Sequence, residues 1–398
     1  MSAYLDHAAT TAVLPEVVDA VTEQLGQLGN ASSLHTAGRR ARRVVEESRE
    51  SIAEHLGCRP SEVVFTSGGT ESDNLAVKGT WLAAQDADPR RDRLVISAVE
   101  HHAVIDPVEH LVRARGARVT WVEPDRTGLV SAAAVRAAVE QDPGSVALVS
   151  VMWANNEVGT VQPVAEIGAV AAEHAVPFHT DAVQALGQVP VRLDEVPADL
   201  VTLTGHKIGG PLGVGVLVAG RDQAPVPLTH GGGQERQLRS GTLNVPGIAG
   251  LAVAVAHAVR HQADHAAHMT ALRDSLIQGA LAVDPTIEVS GPWVPGDGDR
   301  RLPGNAHLRV PGCDGDSLLY LLDAAGVQCS TGSACQAGLP QPSHVLLAMG
   351  VSEDEARGAL RLTLGHRSTG ADVQAFLDAL PAAVDRARRA RGAVRRTG

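Results

Sequence analysis

A lysine follows a short apolar run, at a place where its amine could react. The run Leu-Val-Thr-Leu at positions 200–203 predicts a buried strand, and it leads through Thr204, Gly205 and His206 to Lys207 and a Gly/Pro turn. Ligands of α/β proteins bind beyond the carboxyl ends of strands, and glycine lets the backbone approach them closely. An amine there can form a Schiff base with a carbonyl cofactor. An ordinary solvated lysine is the alternative interpretation.

A carboxylate ends a preceding predicted strand. The segment His179-Thr-Asp-Ala-Val-Gln184 places Asp181 at that strand end, 26 residues before Lys207. Pyridoxal phosphate (PLP) needs a carboxylate at its pyridinium nitrogen, so that the ring stays protonated and accepts electrons. Asp181 and Lys207 could therefore hold opposite parts of one ring. A simple helix N-cap would explain Asp181 equally well when it is considered alone.

Two further segments could complete such a site. Thr66-Ser-Gly-Gly-Thr-Glu-Ser-Asp-Asn74 joins a predicted strand to a helix, where backbone N–H groups bind anions, although a local helix cap is also consistent. It lacks the lysine of a nucleotide-binding P-loop, which argues against ATP. His101, in Val99-Glu-His-His-Ala-Val104, could stack on a flat ring or transfer a proton. By itself this histidine does not indicate a particular function.

One cysteine lies among small residues. The stretch Cys329-Ser-Thr-Gly-Ser-Ala-Cys-Gln-Ala-Gly338 predicts an exposed, mobile loop around Cys335. A flexible thiol suits nucleophilic attack followed by delivery elsewhere, although a lone loop cysteine is commonly inert. No Cys-x-x-Cys or His-Glu-x-x-His pattern occurs in the sequence, so we predict no metal site.

The elements that must position these residues alternate along the chain. Apolar strands alternate with helical patterns, which indicates an α/β protein with a mainly parallel sheet covered on both faces. Beyond Gly241, alanine-rich helical stretches and short strands indicate a smaller α+β domain, and the length of 398 residues also suggests two domains. The predicted strands of the large sheet are 63–65, 93–97, 118–122, 146–152, 176–180, 200–203 and 213–218.

Composition limits the class of protein. Apolar residues make up 44% and charged residues 20%, with a formal net charge of -11, which argues against general nucleic-acid affinity. No signal-peptide pattern or membrane-spanning apolar run is visible. Four cysteines do not make a disulfide framework, so we expect a reducing, cytoplasmic location. The Arg-rich end, 386–396, is interpreted as a solvated helix end.

In order and spacing, the motifs together resemble cysteine desulfurases of the NifS/IscS type, within the class V aminotransferase superfamily. The resemblance implies a fold-type I PLP-dependent transferase with a mainly parallel seven-stranded sheet. The large domain would span 14–255. Residues 1–13 and 256–398 would form the smaller α+β domain, with the mobile catalytic-cysteine loop at about 329–340. Besides the segments above, the resemblance rests on Tyr4-Leu-Asp-His-Ala-Ala-Thr-Thr11, Asn155-Asn-Glu-Val-Gly159, Gly231-Gly-Gly-Gln-Glu-Arg236, Arg239-Ser-Gly-Thr242 and Gly332-Ser-Ala-Cys335.

The resemblance also implies residue roles. Lys207 would bind PLP and move the substrate proton, His101 would stack on the ring as an acid/base, and Cys335 would accept sulfur. Asn30, Asn156 and Arg361 would bind the substrate. Thr242 would complete the site of the partner subunit in a homodimer. The other expected cofactor contacts are Gly69, Thr70, Asn156, Asp181, Gln184, Thr204, Gly205 and His206.

The implied reaction converts L-cysteine to L-alanine and leaves a persulfide on Cys335, which passes sulfur to an acceptor protein. Cys335 could transiently share a cluster with a scaffold partner. The Gly-Ser-Ala-Cys form of its loop favours the subgroup that needs no dedicated activator. Three departures are visible: alanine rather than proline follows Asn30, threonine replaces the usual serine at Thr204, and the long scaffold-binding tail is missing.

The acceptor therefore stays open among an iron–sulfur scaffold, a tRNA-thiolation enzyme and a DNA sulfur-modification system. The alternatives within the same fold are a selenocysteine lyase and another class V aminotransferase. Cys335 argues against an aminotransferase, which needs no loop thiol. A sulfur carrier without PLP chemistry is the alternative outside this class, and Lys207, Asp181 and His101 argue against it.

Overall fold

The computed structural model describes residues 2–332 and 342–397 of the chain. Helices and strands alternate over the first half, as the pattern predicts. The strands are β1 (Ala3–Tyr4), β2 (Val63–Thr66), β3 (Arg93–Ser97), β4 (Arg118–Val122), β5 (Val146–Ser150), β6 (Phe178–Asp181), β7 (Leu200–Thr204), β8 (Gly215–Ala219), β9 (Glu288–Val289), β10 (Asn305–Arg309), β11 (Val327–Gln328) and β12 (Ala359–Thr363).

The helices differ widely in length. Short 3₁₀ turns occur at Pro60–Glu62 and Pro143–Ser145, and a π-helical turn, Leu75–Gly79, joins two helices into one run over 69–87. The α-helices are α1 (Pro15–Leu25), α2 (Thr36–Leu56), α3 (Gly69–Asn74), α4 (Thr80–Ala87), α5 (His102–Arg115), α6 (Ala132–Glu140), α7 (Val164–Glu173), α8 (Val245–Arg260), α9 (Gln262–Val283), α10 (Gly315–Ala324), α11 (His344–Ala348), α12 (Glu353–Ala356) and α13 (Gly370–Thr397).

Strands β2 to β8 form one sheet in the order β2-β8-β7-β6-β5-β3-β4. β8 runs antiparallel to both of its neighbours, and the other pairs are parallel, so the predicted seven-stranded, mainly parallel sheet is confirmed. β6 begins at Phe178 rather than at the predicted residue 176, because Pro177 has no N–H for the ladder. β5 ends at Ser150, two residues early, and the Met152 N–H bonds to the Glu100 carboxylate instead.

The sheet separates two hydrophobic cores. Successive side chains of a strand point to opposite faces, and in β3 Val95 packs in one core while Leu94 and Ile96 pack in the other. The first core also contains residues of α1, α2, α6, α7 and α8, and the second contains residues of α5 and Trp81 of α4. Burial on both faces explains why these strands read as nearly continuous apolar runs.

A third core surrounds a smaller sheet of order β12-β10-β9. It contains Leu308, Leu362 and Phe376 together with Ala3 and Leu5 from the start of the chain, because β1 pairs in parallel with β11. The domain boundaries at 14–255 and at 1–13 with 256–398 stay a prediction. Within the described ranges, no helix is both long and apolar enough to cross a membrane.

We expect Phe376→Ala to lower the free energy of unfolding by about 3–5 kcal/mol, because the fully buried ring fills the third core and its loss leaves a cavity. Urea denaturation followed by circular dichroism measures the change. Tyr320→Ala, at a side chain that is 71% exposed, is the matched control and should change stability by about 0.5 kcal/mol or less. Equal effects in the two variants would contradict this packing.

Candidate active site

The carboxyl ends of several central strands open into one cavity of about 340 Å³. Parallel strands bring residues that are distant in the sequence to the same edge of the sheet. Ten predicted site residues line this cavity, together with Ala8, Ala9, Asp73, Glu157 and His344, which the sequence reasoning did not assign. The ten are Gly69, Thr70, His101, Asn156, Asp181, Gln184, Thr204, His206, Lys207 and Arg361.

Three predicted residues that the structure describes do not line this cavity. Gly205 is buried in the turn behind the cavity, where its N–H bonds to the Val214 carbonyl (3.1 Å). Asn30 is exposed in the loop between α1 and α2, and its side-chain oxygen accepts the Ser32 N–H (2.9 Å). Thr242 is also exposed and does not line the cavity of its own chain. Cys335 lies outside the described residues, as does most of its predicted loop.

Lys207 is held by the N-terminal segment. Its Nζ donates hydrogen bonds to the carbonyl oxygens of Ala8 and Ala9, the second at 2.7 Å. Burial, and then the nearby Arg361 cation, lower the pKa of Lys207 to about 8. At that pKa roughly a tenth of the amine is uncharged at pH 7, so a nucleophilic form is available.

Two buried carboxyl groups, those of Asp181 and Asp73, also line the cavity. Asp181 is 5% exposed and accepts the Val183 N–H (2.8 Å), and burial followed by the Asp73 charge raises the pKa of Asp181 to about 8. Burial raises the pKa of Asp73 to about 7, and one of its oxygens has no hydrogen-bond partner among the described residues. Glu100 is fully buried, and burial also raises its pKa. A cation bound beside Asp181 would therefore favour the ionised form of its carboxyl group.

His101 caps α5 with one ring nitrogen. Its Nδ1 accepts the Ala103 N–H (3.1 Å), which leaves the proton of a neutral ring on Nε2. The side chain is reached by solvent through the cavity, yet desolvation by the surrounding protein, and then the Lys207 charge, lower the pKa of His101 to about 4. The ring is therefore neutral at pH 7 and can donate from Nε2.

The remaining wall suits an anion. The helical run 69–87 begins there after Gly68, whose φ of +149° disfavours other residues, and Thr204 and His206 flank that start. The first N–H groups of a helix have no intrahelical partners and carry a partial positive charge. Burial, and then Lys207, lower the pKa of His206 to about 4, so this ring adds no charge at pH 7.

Arg361, on β12, is the second cation of the cavity. It is 6% exposed, and it donates from Nη1 to the Asn156 carbonyl (3.1 Å) and from Nη2 to the Asp6 carboxylate (3.0 Å). Its buried Nε has no partner within the described ranges. The guanidinium therefore keeps N–H groups for a carboxylate ligand.

The residues that sequence reasoning missed carry little local signal. Ala8 and Ala9 act through backbone carbonyls, which no side-chain pattern reveals. Asp6 lies within the segment Tyr4-Leu-Asp-His-Ala-Ala-Thr-Thr11, which by itself assigns no role to its carboxylate. Asp73 and Glu100 lay inside the quoted motifs, but their burial depends on the packed fold. In the parts of the chain that the structure describes, no group of three or more His, Cys, Asp or Glu side chains is arranged to hold a metal ion.

Comparison with known proteins gives a consistent result. The family model described as aminotransferase class-V matches residues 3–376. An IscS-like cysteine desulfurase of Mycobacterium tuberculosis is 55% identical over 388 residues, which cover 98% of each chain. A solved structure of a NifS-like protein superposes with a TM-score of 0.88 at 34% identity, covering 97% of this chain and 100% of that one. SspA, solved in complex with cysteine, gives 0.76 at 34% identity, covering 93% and 100%.

The fold is that of a fold-type I enzyme. The chain belongs to the class-V aminotransferase family, whose members are PLP-dependent in general. Within that family, the predicted resemblance to cysteine desulfurases of the NifS/IscS type is confirmed. The roles of individual residues stay predictions.

We expect Lys207 in the cofactor-free protein to titrate near pH 8, because burial and Arg361 disfavour its charged form. The sequence has two lysines, Lys78 and Lys207, so Lys78→Arg leaves one lysine signal after reductive ¹³C-methylation. NMR titration of that signal gives its pKa, and a Lys207→Arg variant that keeps Lys78 assigns the signals. A midpoint near 10.5 would contradict the described environment of the amine.

Proposed function

We propose that this chain is a PLP-dependent cysteine desulfurase, which converts L-cysteine to L-alanine and transfers the sulfur to Cys335 as a persulfide. The observation that carries the proposal is the meeting of Lys207, Asp181, His101 and Arg361 at one cavity. The relatives named cysteine desulfurases, and the SspA structure that contains cysteine, support the same substrate.

The residues of the cavity fit PLP. The buried Asp181 carboxyl lacks a cation, and a pyridinium N–H would supply one. The start of the helical run, with Gly69 and Thr70, and the side chains of Thr204 and His206 offer a place for the phosphate. Lys207 would hold the carbonyl carbon, His101 would stack on the ring, and Asn156 and Gln184 would contact the ring hydroxyl. When bound, PLP supplies an electron sink for the bonds at the substrate Cα.

Residues of the chain itself would then bind the substrate and transfer its protons. Arg361 receives the substrate carboxylate through its remaining N–H groups and so fixes the orientation of Cα. Lys207 Nζ takes the Cα proton, which its lowered pKa permits near neutral pH. The neutral His101 ring donates a proton from Nε2. All three of these residues line the cavity.

Sulfur transfer needs a thiolate. The Cys335 thiolate would attack the substrate sulfur, the S–S bond would form as the C–S bond breaks, and protonation of the carbon would give alanine. Burial raises the pKa of Cys58 and of Cys329 to about 12 and also raises that of Cys313, so all three stay thiols at pH 7. The described cysteines are therefore poor nucleophiles, which supports Cys335. The persulfide would then pass to an iron–sulfur scaffold or a thiolation enzyme.

A homodimer is the second part of the proposal. Thr242 is exposed and does not line the cavity of its own chain, so it would be accessible to the site of a partner subunit. Its segment is anchored by Glu235, which is buried and paired with Arg49 at 2.8 Å. Four leucines are also strongly exposed, and a partner subunit that covers them would remove their apolar surface from water. They are Leu25 (70%), Leu28 (83%), Leu34 (88%) and Leu212 (71%).

We expect Cys335→Ala to lower alanine and sulfide release from L-cysteine by about 100-fold or more, because the attacking thiolate is lost. Both products are measured under a reductant, and the absorbance of bound PLP is recorded. Cys329→Ala is the matched control and should keep most activity. Lys207→Ala should lose the yellow cofactor band.

Equal alanine release by Cys335→Ala and the unaltered protein would contradict the proposed nucleophile. Selenocysteine and 2-oxo acids would then test the two alternatives, a selenocysteine lyase and another aminotransferase. Colourless protein from PLP-replete cells would count against the enzyme and favour a sulfur carrier.

We expect the protein to be a dimer in solution and Leu34→Asp to weaken that dimer, because a buried charge replaces an apolar contact. Light scattering after gel filtration measures the mass. Tyr320→Asp, another strongly exposed position, is the control and should leave the mass unchanged. A monomeric unaltered protein would overturn this part of the proposal.

A further inference from the structure

The N-terminal segment 4–11 belongs to the site although no role was assigned to it. The Leu5 carbonyl accepts the Thr363 N–H (2.7 Å), and the Thr11 N–H bonds to the His206 carbonyl (3.1 Å). The segment therefore connects β12, which carries Arg361, with the turn that carries Lys207. Between these two attachments lie Asp6, Ala8 and Ala9.

Asp6 bonds directly to Arg361. Its Oδ1 accepts from Nη2 at 3.0 Å, and its side chain is 22% exposed. The Asn156 carbonyl holds the other end of the guanidinium at 3.1 Å. A planar guanidinium held at both ends has a fixed plane, and its remaining N–H groups, Nε–H included, point in fixed directions.

The backbone fixes Asp6 in turn. Its carbonyl accepts the Tyr4 hydroxyl (3.1 Å) and the Ala9 N–H (3.0 Å), and the residue bridges to Thr363. The carboxylate thus has little freedom to follow a displaced arginine. The Asp6 carboxylate also lies near Lys207, since the Asp6 charge raises the pKa of Lys207 while Arg361 lowers it.

We propose that Asp6 is a positioning residue of this site, whose carboxylate orients the Arg361 guanidinium to receive the carboxylate of the amino-acid substrate. The inference rests on the proposed function for the identity of the substrate. Asp6 does not line the cavity, so its carboxylate would act on the bound substrate through Arg361. A charge-assisted hydrogen bond of this kind gives directional control that a solvated arginine lacks.

The test compares Asp6→Ala and Asp6→Asn with the unaltered holoenzyme. Asp6→Ala should raise KM for L-cysteine by about 10-fold or more and change kcat by about twofold at most, since binding rather than chemistry is affected. Asp6→Asn keeps an oxygen acceptor for Nη2 and should recover most of the affinity. Asp19→Asn, an exposed site on α1, controls for the change in net charge.

A second readout needs neither substrate nor cofactor. In cofactor-free protein with Lys78→Arg, NMR titration of ¹³C-methylated Lys207 should move to lower pH in Asp6→Asn, because a carboxylate that favours the ammonium is lost. If the Asp6→Ala variant does not fold, this measurement on Asp6→Asn still tests the proposal. An unchanged titration would contradict the placement of the Asp6 charge beside both cations and would overturn the proposal.

Two kinetic outcomes would also overturn it. An unchanged or lower KM in Asp6→Ala would mean that Asp6 only offsets the charge of Arg361. Equal losses in Asp6→Ala and Asp6→Asn would mean that charge, rather than orientation, matters. Failure of the unaltered protein to release alanine from L-cysteine would instead count against the proposed function, and the Lys207 titration would still test Asp6.

Discussion

Burial of ionisable groups at the carboxyl edge of the sheet is the constraint on which the site depends. A charged group in a protein interior loses its hydration, so its charged form is disfavoured unless a partner compensates. The same physics lowers the pKa of Lys207 and raises that of Asp181. One environment thus makes part of the amine uncharged near neutral pH and leaves a carboxyl group that lacks a cation. A protonated, carbonyl-bearing ring meets both needs.

The two cations of the cavity come from different parts of the fold. Lys207 follows β7 of the central sheet, whereas Arg361 lies on β12 of the smaller sheet. The N-terminal segment contacts both, through the carbonyls of Ala8 and Ala9 and the carboxylate of Asp6. The pairing of β1 with β11 fixes the start of this segment, and the Leu5 carbonyl and a bridge from Asp6 attach it to Thr363 of β12. The relative position of the two cations therefore depends on a few short backbone attachments.

Much of the fold could be predicted because its signals are local. Buried parallel strands must be apolar on both faces, and all seven predicted strands of the central sheet are present. The errors at residues 151–152 and 176–177 arose where the chain leaves the ladder. Met152 bonds to the Glu100 side chain, and Pro177 has no N–H. The site residues at strand ends, such as Asp181 and Lys207, were predicted for the same reason, since parallel strands share one edge.

The sequence by itself determined which segments form the strands of the central sheet, the chemistry expected at their ends and the family. Only the tertiary structure decided which backbone carbonyls hold Lys207, that Asp6 pairs with Arg361, and that Asp73 and Glu100 are buried near Asp181. It also placed Asn30 and Thr242 away from the cavity of their own chain. Local periodicity reports whether a residue faces a core. Contacts between residues that are hundreds of positions apart depend on how strands pair and sheets pack, which no local pattern encodes.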